Sequence, residues 1–355
     1  MSLTDRRTVV VLEPPGRTQA SLGDALRRDG WEVLPAADAV GGFQQARQAR
    51  PDAVVLPAQI PGGGLELLKR LRSSAHTALI PVVALLDPAS NQREHFQRWG
   101  AQAILDDSVD SATLCAELRK QSAQPSLAGV EAPAEVIAEP GRLKALAKTG
   151  LLDTPPEEVF DQITRLVARM LDVPTVLMSL VDRNRQFFKS QVGLDQGLAL
   201  SRQTPLSHSY CQWVVAGREE LIIPDAREHP LLRSNPLTSE FGVGAYAGVP
   251  LHAPSDHEIG SFCMLDSKPR RWRETDLVAL RSAAQVIEGI AALRQTAPAK
   301  SVSDDDFRAT ARAVGTAIAG AATLLAHPAK MSPGDRDDLL AVQTDLGRQL
   351  ANLGR

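Results

Sequence analysis

The fold turns on residues 174–266: PTVLMSLVD (174–182), RQFFKSQV (185–192), TPLSHSYCQWVV (204–215), ELIIPDA (220–226), GAYAGVPLH (244–252) and HEIGSFCMLD (257–266). Five of these runs are short, rich in Val, Ile, Leu or Phe, and bounded by Asp, Asn, Gly or Pro. They read as the strands of an antiparallel sheet. The sixth, TPLSHSYCQWVV, opens with Thr-Pro and places Leu206, Tyr210, Trp213 and Val214 at helical spacing. It reads as a helix or helical turn laid over that sheet.

Working outward, GLLDTPPEEVFDQITRL (150–166), SLVDRNRQFFKS (179–190), PLSHSYCQ (205–212), PDAREHPLLRSNP (224–236), AYAGVPL (245–251) and GSFCMLD (260–266) together resemble a bacterial GAF domain. The resemblance implies an α+β fold with an antiparallel sheet. It also implies ligand sensing or dimerisation in signalling rather than metabolism. The ligand itself differs widely among such domains.

A chain of 355 residues accommodates two or three domains. With 43% hydrophobic and 23% charged residues and a net charge of −3, it has the composition of an ordinary globular protein and offers no basic face for nucleic acid. The one basic island, KPRRWR (268–273), reads as a solvated loop entering a helix. Three cysteines, Cys115, Cys211 and Cys263, are too few and too scattered for a disulfide framework or a zinc site. No apolar run is long enough to span a bilayer, and MSLTDRR lacks the core of a signal peptide, so a cytoplasmic protein without membrane partners is expected.

The N-terminal third alternates strand-like and helical runs: RTVVVL (7–12), WEVLPA, DAVVL (52–56), IPVVALL (80–86) and AQAIL (101–105) are each followed by a helical pattern. Such alternation specifies an α/β domain with a parallel, flavodoxin-like sheet. The wording of RPDAVVLPAQIPGGGLELLKRLR (50–72) resembles the receiver domain of bacterial response regulators. That resemblance implies an acidic pair after the first strand, a phosphoacceptor Asp after the third, a Thr or Ser after the fourth and a Lys after the fifth. Here those places hold Glu13-Pro14, Pro57, Leu86 and Asp107. Pro57 has no carboxylate to accept a phosphoryl group, and Asp107 reverses the charge of the Lys. A phosphorylation-incompetent receiver at residues 1–120, acting as a protein-interaction module, is expected.

Residues 121–138 have linker composition, 139–296 the GAF domain, and 300–355 a C-terminal helical hairpin with Leu339, Leu340, Val342, Leu346, Leu350 and Leu353 on one face. At the start of the GAF domain Thr154 is expected to cap a helix opened by Pro155 and Pro156, with Val159, Phe160, Ile163, Leu166, Val167 and Met170 facing the sheet. A long helix is expected over 274–293. These flanking helices carry more apolar residues than one small sheet face needs, which points to a homodimer. A histidine kinase or regulator is the implied signalling partner.

Chemistry-bearing residues concentrate around Cys211 and His208. Cys beside His can form a nucleophile, but free Cys is more often core. A metal site would need His208, His229, His252 and His257 to converge, yet they lack ligand spacing. Arg185 and Lys189 alternate along one strand face and read as solvated. Any small ligand is expected on the sheet face opposite the flanking helices, against Phe188, His208, Tyr210, Cys211 and Tyr246. The reading is therefore a non-catalytic sensory protein with no required cofactor. Its alternatives are a haem or bilin sensor using His208 and Cys211, and a GAF-type reductase. The reductase would need a resolving cysteine, and Cys263, on a buried strand, is poorly placed for that role.

Overall fold

The computed structural model describes residues 7–13, 20–123 and 131–296, in two compact units that divide between residues 129 and 130. Pro14 and the 300–355 hairpin lie outside the described residues.

The first unit alternates strictly: β1 (Thr8–Leu12), α1 (Ala20–Arg28), β2 (Glu32–Ala36), α2 (Ala39–Ala49), β3 (Ala53–Pro57), α3 (Gly64–Ser73), β4 (Val82–Leu86), α4 (Arg93–Arg98), β5 (Ala103–Asp106) and α5 (Ser111–Ala123). The strands pair in the order β2-β1-β3-β4-β5, all parallel. Continuous apolar runs are what such a sheet requires, because both of its faces are covered. Val10, Leu12, Val54, Leu56, Val82, Ala84 and Leu86 pack with Phe43, Leu67, Leu71 and Phe96 on one side. Val9, Val11, Ala53, Val55, Val83 and Leu85 pack with Leu26, Leu114 and Leu118 on the other.

The second unit begins within the stretch read as linker. Helix α5 already occupies residues up to Ala123, and α6 (Ala134–Ile137) and α7 (Pro140–Lys148) follow. Ala132 and Ile137 are buried, and Arg142 donates to the carbonyls of Ile137 and Val181. Those bonds pin 131–148 to the sheet, so linker composition applies only to the short piece before residue 131. Helix α8 (Glu158–Leu171) starts later than expected, with Glu157 at its N-cap. Thr154 does not cap it. The Thr154 hydroxyl instead donates to Leu151 O and accepts from Lys189.

Next come β6 (Thr175–Val181), β7 (Arg185–Val192), α9 (Gln196–Ser201), β8 (Gln203–Pro205), α10 (Cys211–Gly217), β9 (Leu221–Ile223), α11 (Pro236–Ser239), β10 (Ala245–His252), β11 (Glu258–Asp266) and α12 (Glu274–Thr296). The six strands pair antiparallel in the order β8-β7-β6-β11-β10-β9. Helices α8 and α12 cover one face, where Phe160, Ile163, Val167, Leu280, Ala284 and Ile287 meet Val176, Met178, Leu180, Ala247, Val249, Phe262 and Met264. The apolar stripes of both helices are thus used within this unit.

In β7 the pairing with β6 shifts: Ser190 faces Met178 but Phe188 faces Ser179, leaving Lys189 as the extra residue of a β-bulge. A bulge re-aims the side chain it carries. Lys189 therefore does not share a solvated face with Arg185, as simple alternation predicts, but is fully buried. The basic island is likewise anchored rather than merely solvated. Arg270 donates to Leu171 O and Asp172 O, and the indole of Trp272 donates to Ile223 O.

Candidate functional site

The sheet face opposite α8 and α12 is not filled by side chains. Alternation along the strands sends Leu177, Phe188, Tyr246, Cys263 and Leu265 to this side, and they floor a cavity of about 380 Å³. Its roof is the segment 204–215, which is not one helix. A 3₁₀ turn at Leu206–His208 leads into an extended Ser209, and α10 then starts at Cys211. Leu237, Phe241 and Val243 close one side. Phe188, His208, Tyr210, Cys211 and Tyr246 all line this one space.

The polar groups are specific. Thr238 donates its hydroxyl to Leu232 O, so in the contact between Tyr210 and Thr238 the tyrosine is the donor. Burial pushes the Tyr210 phenol up to about 12, so it donates throughout the physiological range. The rings of Tyr210 and Tyr246 meet edge to face, with centroids 5.3 Å apart. The Tyr246 hydroxyl lies 3.4 Å from Cys211 Sγ and 3.3 Å from Ser261 Oγ. It reaches them because its ring folds back along β10 over Gly248, where an added Cβ would stand 2.1 Å from the phenolic oxygen. The AYAG spacing carried that signal, and only the packing shows its meaning.

Two features of the wall bear on what it would hold. No Lys or Arg lines the cavity, and its two acids are engaged. Asp195 caps α9 by accepting from Gly197 N and Leu198 N. Asp266 accepts from Lys268 N. Thr204, missed by sequence reasoning, lines the cavity with its hydroxyl buried and without a hydrogen-bond partner among the described residues. Its register partner Gln186 accepts from Ser209 and also lines the space.

His208 and Cys211 do not converge on one point. The His208 ring neighbours Ser207 Oγ at 2.9 Å, Glu240 at 3.8 Å and the edge of Phe241. Cys211 Sγ instead faces Cys263 Sγ at 3.6 Å. Cys263, expected to be poorly placed on its buried strand, is the immediate neighbour of Cys211. The four histidines also stay apart: His229 accepts from Leu232 N, His252 pairs with Glu288, and His257 contacts Ser255. Among the described residues no cluster of His, Cys, Asp and Glu suits a metal ion, and no helix is long and apolar enough to cross a membrane.

In the first unit, Pro57, Ala58, Gln59, Asp87, Ser90, Asn91, Gln92 and Asp107 wall a cleft at the C-terminal ends of β3, β4 and β5. Leu86 is fully buried in the core, while its neighbours Leu85 and Asp87 line the cleft. Burial raises the Glu13 carboxyl above its ordinary range, opposed by Arg27. Asp52 sits at the far end of β3 and accepts from Thr8 N at 2.7 Å.

The GAF domain family model matches residues 155–290. A cyclic di-GMP phosphodiesterase of Pseudomonas aeruginosa is 32% identical over 151 residues, which is 42% of this chain and 25% of that protein. This chain thus spans a quarter of that relative's length. The polar-differentiation response regulator DivK of Brucella anthropi is 24% identical over 105 residues, 29% of this chain and 85% of DivK. The receiver domain of a sensor histidine kinase from Pseudomonas aeruginosa is similar in structure at 21% identity, with a TM-score of 0.32, over 34% of this chain and 99% of that one. The chain accordingly joins an N-terminal receiver-like domain to a GAF domain at residues 155–290, the make-up of a signalling protein.

Proposed function

We propose that this protein is a sensor without catalytic activity of its own, in which the GAF cavity binds a small, uncharged, largely apolar molecule. The single observation that carries this reading is the composition of the cavity wall. Its aromatic and aliphatic floor, lack of any Lys or Arg and buried unpartnered Thr204 hydroxyl suit a neutral ligand with one hydrogen-bonding group. A phosphate-bearing ligand would meet no Lys or Arg there and two carboxylates. In this reading the receiver-like domain is a docking module for a signalling partner such as a histidine kinase or regulator, since Pro57 and Asp107 stand where phosphoryl chemistry needs a nucleophile and a cation. The phosphodiesterase activity in the relative's name stays with that relative, of which this chain covers a quarter. A homodimer belongs to the proposal, supported by the amphipathic pattern of residues 300–355 in the sequence.

The test is a thermal-shift screen of the full-length protein with uncharged aromatic and heterocyclic carbonyl compounds, using cyclic di-GMP and cyclic AMP as charged comparators. Stabilisation by a neutral compound that Thr204→Val weakens supports the reading. Stabilisation by the nucleotides alone overturns it. Light scattering that returns a monomer mass removes the dimer.

A further inference from the structure

Cys211 and Cys263 come from elements 52 positions apart in sequence, yet their sulfurs lie 3.6 Å apart. Cys211 is the first residue of α10 and Cys263 sits mid-strand in β11, opposite Gly248 of β10. Both are buried, and both line the cavity. A disulfide needs the sulfurs at about 2.05 Å, an approach of roughly 1.5 Å beyond the reduced contact. The Tyr246 hydroxyl, 3.4 Å from Cys211 Sγ and 3.3 Å from Ser261 Oγ, supplies a donor for developing negative charge on sulfur. Cys115, the remaining cysteine, is buried in the other unit.

We propose that Cys211 and Cys263 form a reversible dithiol–disulfide pair on the cavity wall, oxidised by small peroxides that enter through the cavity. In the first step Cys211 gives up its proton and its sulfur attacks one peroxide oxygen. An S–O bond forms, the O–O bond breaks, and the leaving oxygen departs as water or, for an organic peroxide, as the alcohol. In the second step the Cys263 sulfur attacks the sulfenic sulfur. The S–S bond forms, the S–O bond breaks, and hydroxide leaves as water with the Cys263 proton. Two thiols are oxidised by two electrons and one peroxide is reduced. Closing the bond draws the start of α10 toward β11 and takes the S–H groups from beside the Tyr246 hydroxyl, so the oxidised cavity has a different roof. Burial pushes the Cys263 thiol and the Tyr246 phenol well above their ordinary ranges. That makes Cys211 the attacking sulfur and sets a slow reaction relative to exposed, cation-activated thiols.

The experiment uses full-length reduced protein exposed to hydrogen peroxide without denaturant, followed by alkylation, intact mass and peptide mapping. The expected result is loss of two hydrogen atoms from the intact mass and a peptide joining Cys211 to Cys263. Cys115 remains alkylatable, and dithiothreitol restores the starting mass. Cys211→Ser and Cys263→Ser each abolish the crosslink, whereas Cys115→Ser leaves it unchanged. Retention of all three thiols, single-site sulfinic or sulfonic products in the wild type, or a crosslink formed only after unfolding in urea would each overturn the proposal. The wild-type mass alone decides the matter if a variant fails to fold.

Discussion

The ammonium of Lys189 lies 2.5 Å from Glu157 Oε1 and is fully enclosed, with Pro155 O at 2.8 Å and the Thr154 hydroxyl as further partners. The same ammonium lies over the ring of Phe160, 5.8 Å from its centroid. A bulge residue of β7 thus ties the sheet to the chain just ahead of α8.

Removing that ammonium takes a charged donor away from a carboxylate, a carbonyl and a hydroxyl in a largely buried place. Lys189→Met is expected to cost about 3 kcal/mol, the scale for breaking a buried pair. Glu157→Gln should cost less, because that carboxylate is 29% exposed and its replacement can still accept from the lysine. Urea unfolding of the two variants checks the order, and equal small losses would contradict the enclosed geometry.

Gly248→Ala places a methyl group against the Tyr246 ring and should destabilise the protein by about 1–3 kcal/mol through overpacking. The loss arises from one contact, so Tyr246→Ala in that background should cost less than it does in the wild type. Additive losses in the double-mutant cycle would mean that the ring moves away freely.

Tyr210→Phe deletes a donor but leaves Thr238 bonded to Leu232 O, so about 1 kcal/mol is expected. Tyr210→Ala also empties aromatic volume beside Tyr246 and should cost about 3–5 kcal/mol. A Phe variant as damaged as the Ala variant would show that the hydroxyl matters more than the ring.

His252 Nδ1 lies 2.7 Å from Glu288 Oε1, joining the end of β10 to α12. That hydrogen bond raises the imidazole pKa above its ordinary value, against the opposing effect of burial. Folded protein therefore holds the proton more tightly than unfolded chain. The resulting stability is fully present below about pH 6.5 and is lost as pH rises through the folded-state value. Thermal midpoints of wild type and Glu288→Gln should differ most below pH 6.5 and converge above the folded-state value. A gap that widens with rising pH would reverse the sign.

Incubation with acetyl phosphate should leave residues 1–120 unphosphorylated. Pro57→Asp alone should not restore uptake, because Asp107 still faces the cleft where a cation is needed. Acylphosphate on the wild type that disappears in Asp52→Asn would reassign the site.

The apolar runs by themselves determined two sheets of different type. Continuous Val and Leu in TVVVL and AVVLP specify strands covered on both faces, and hairpin-bounded runs from Thr175 to Asp266 specify the antiparallel sheet. The missing carboxylate at Pro57 was equally legible, since residue identity alone decides it. Tertiary structure decided what depends on register and on meetings between distant segments. A single bulge turned Lys189 from an expected surface charge into a buried tie. The docking of α10 over β11 brought Cys211 to Cys263. The absence of a side chain at Gly248 let Tyr246 lie back toward both. Period-two alternation fixes which face a residue takes only until one extra residue shifts it. Which sulfur meets which depends on packing between segments whose separation in sequence says nothing about their separation in space.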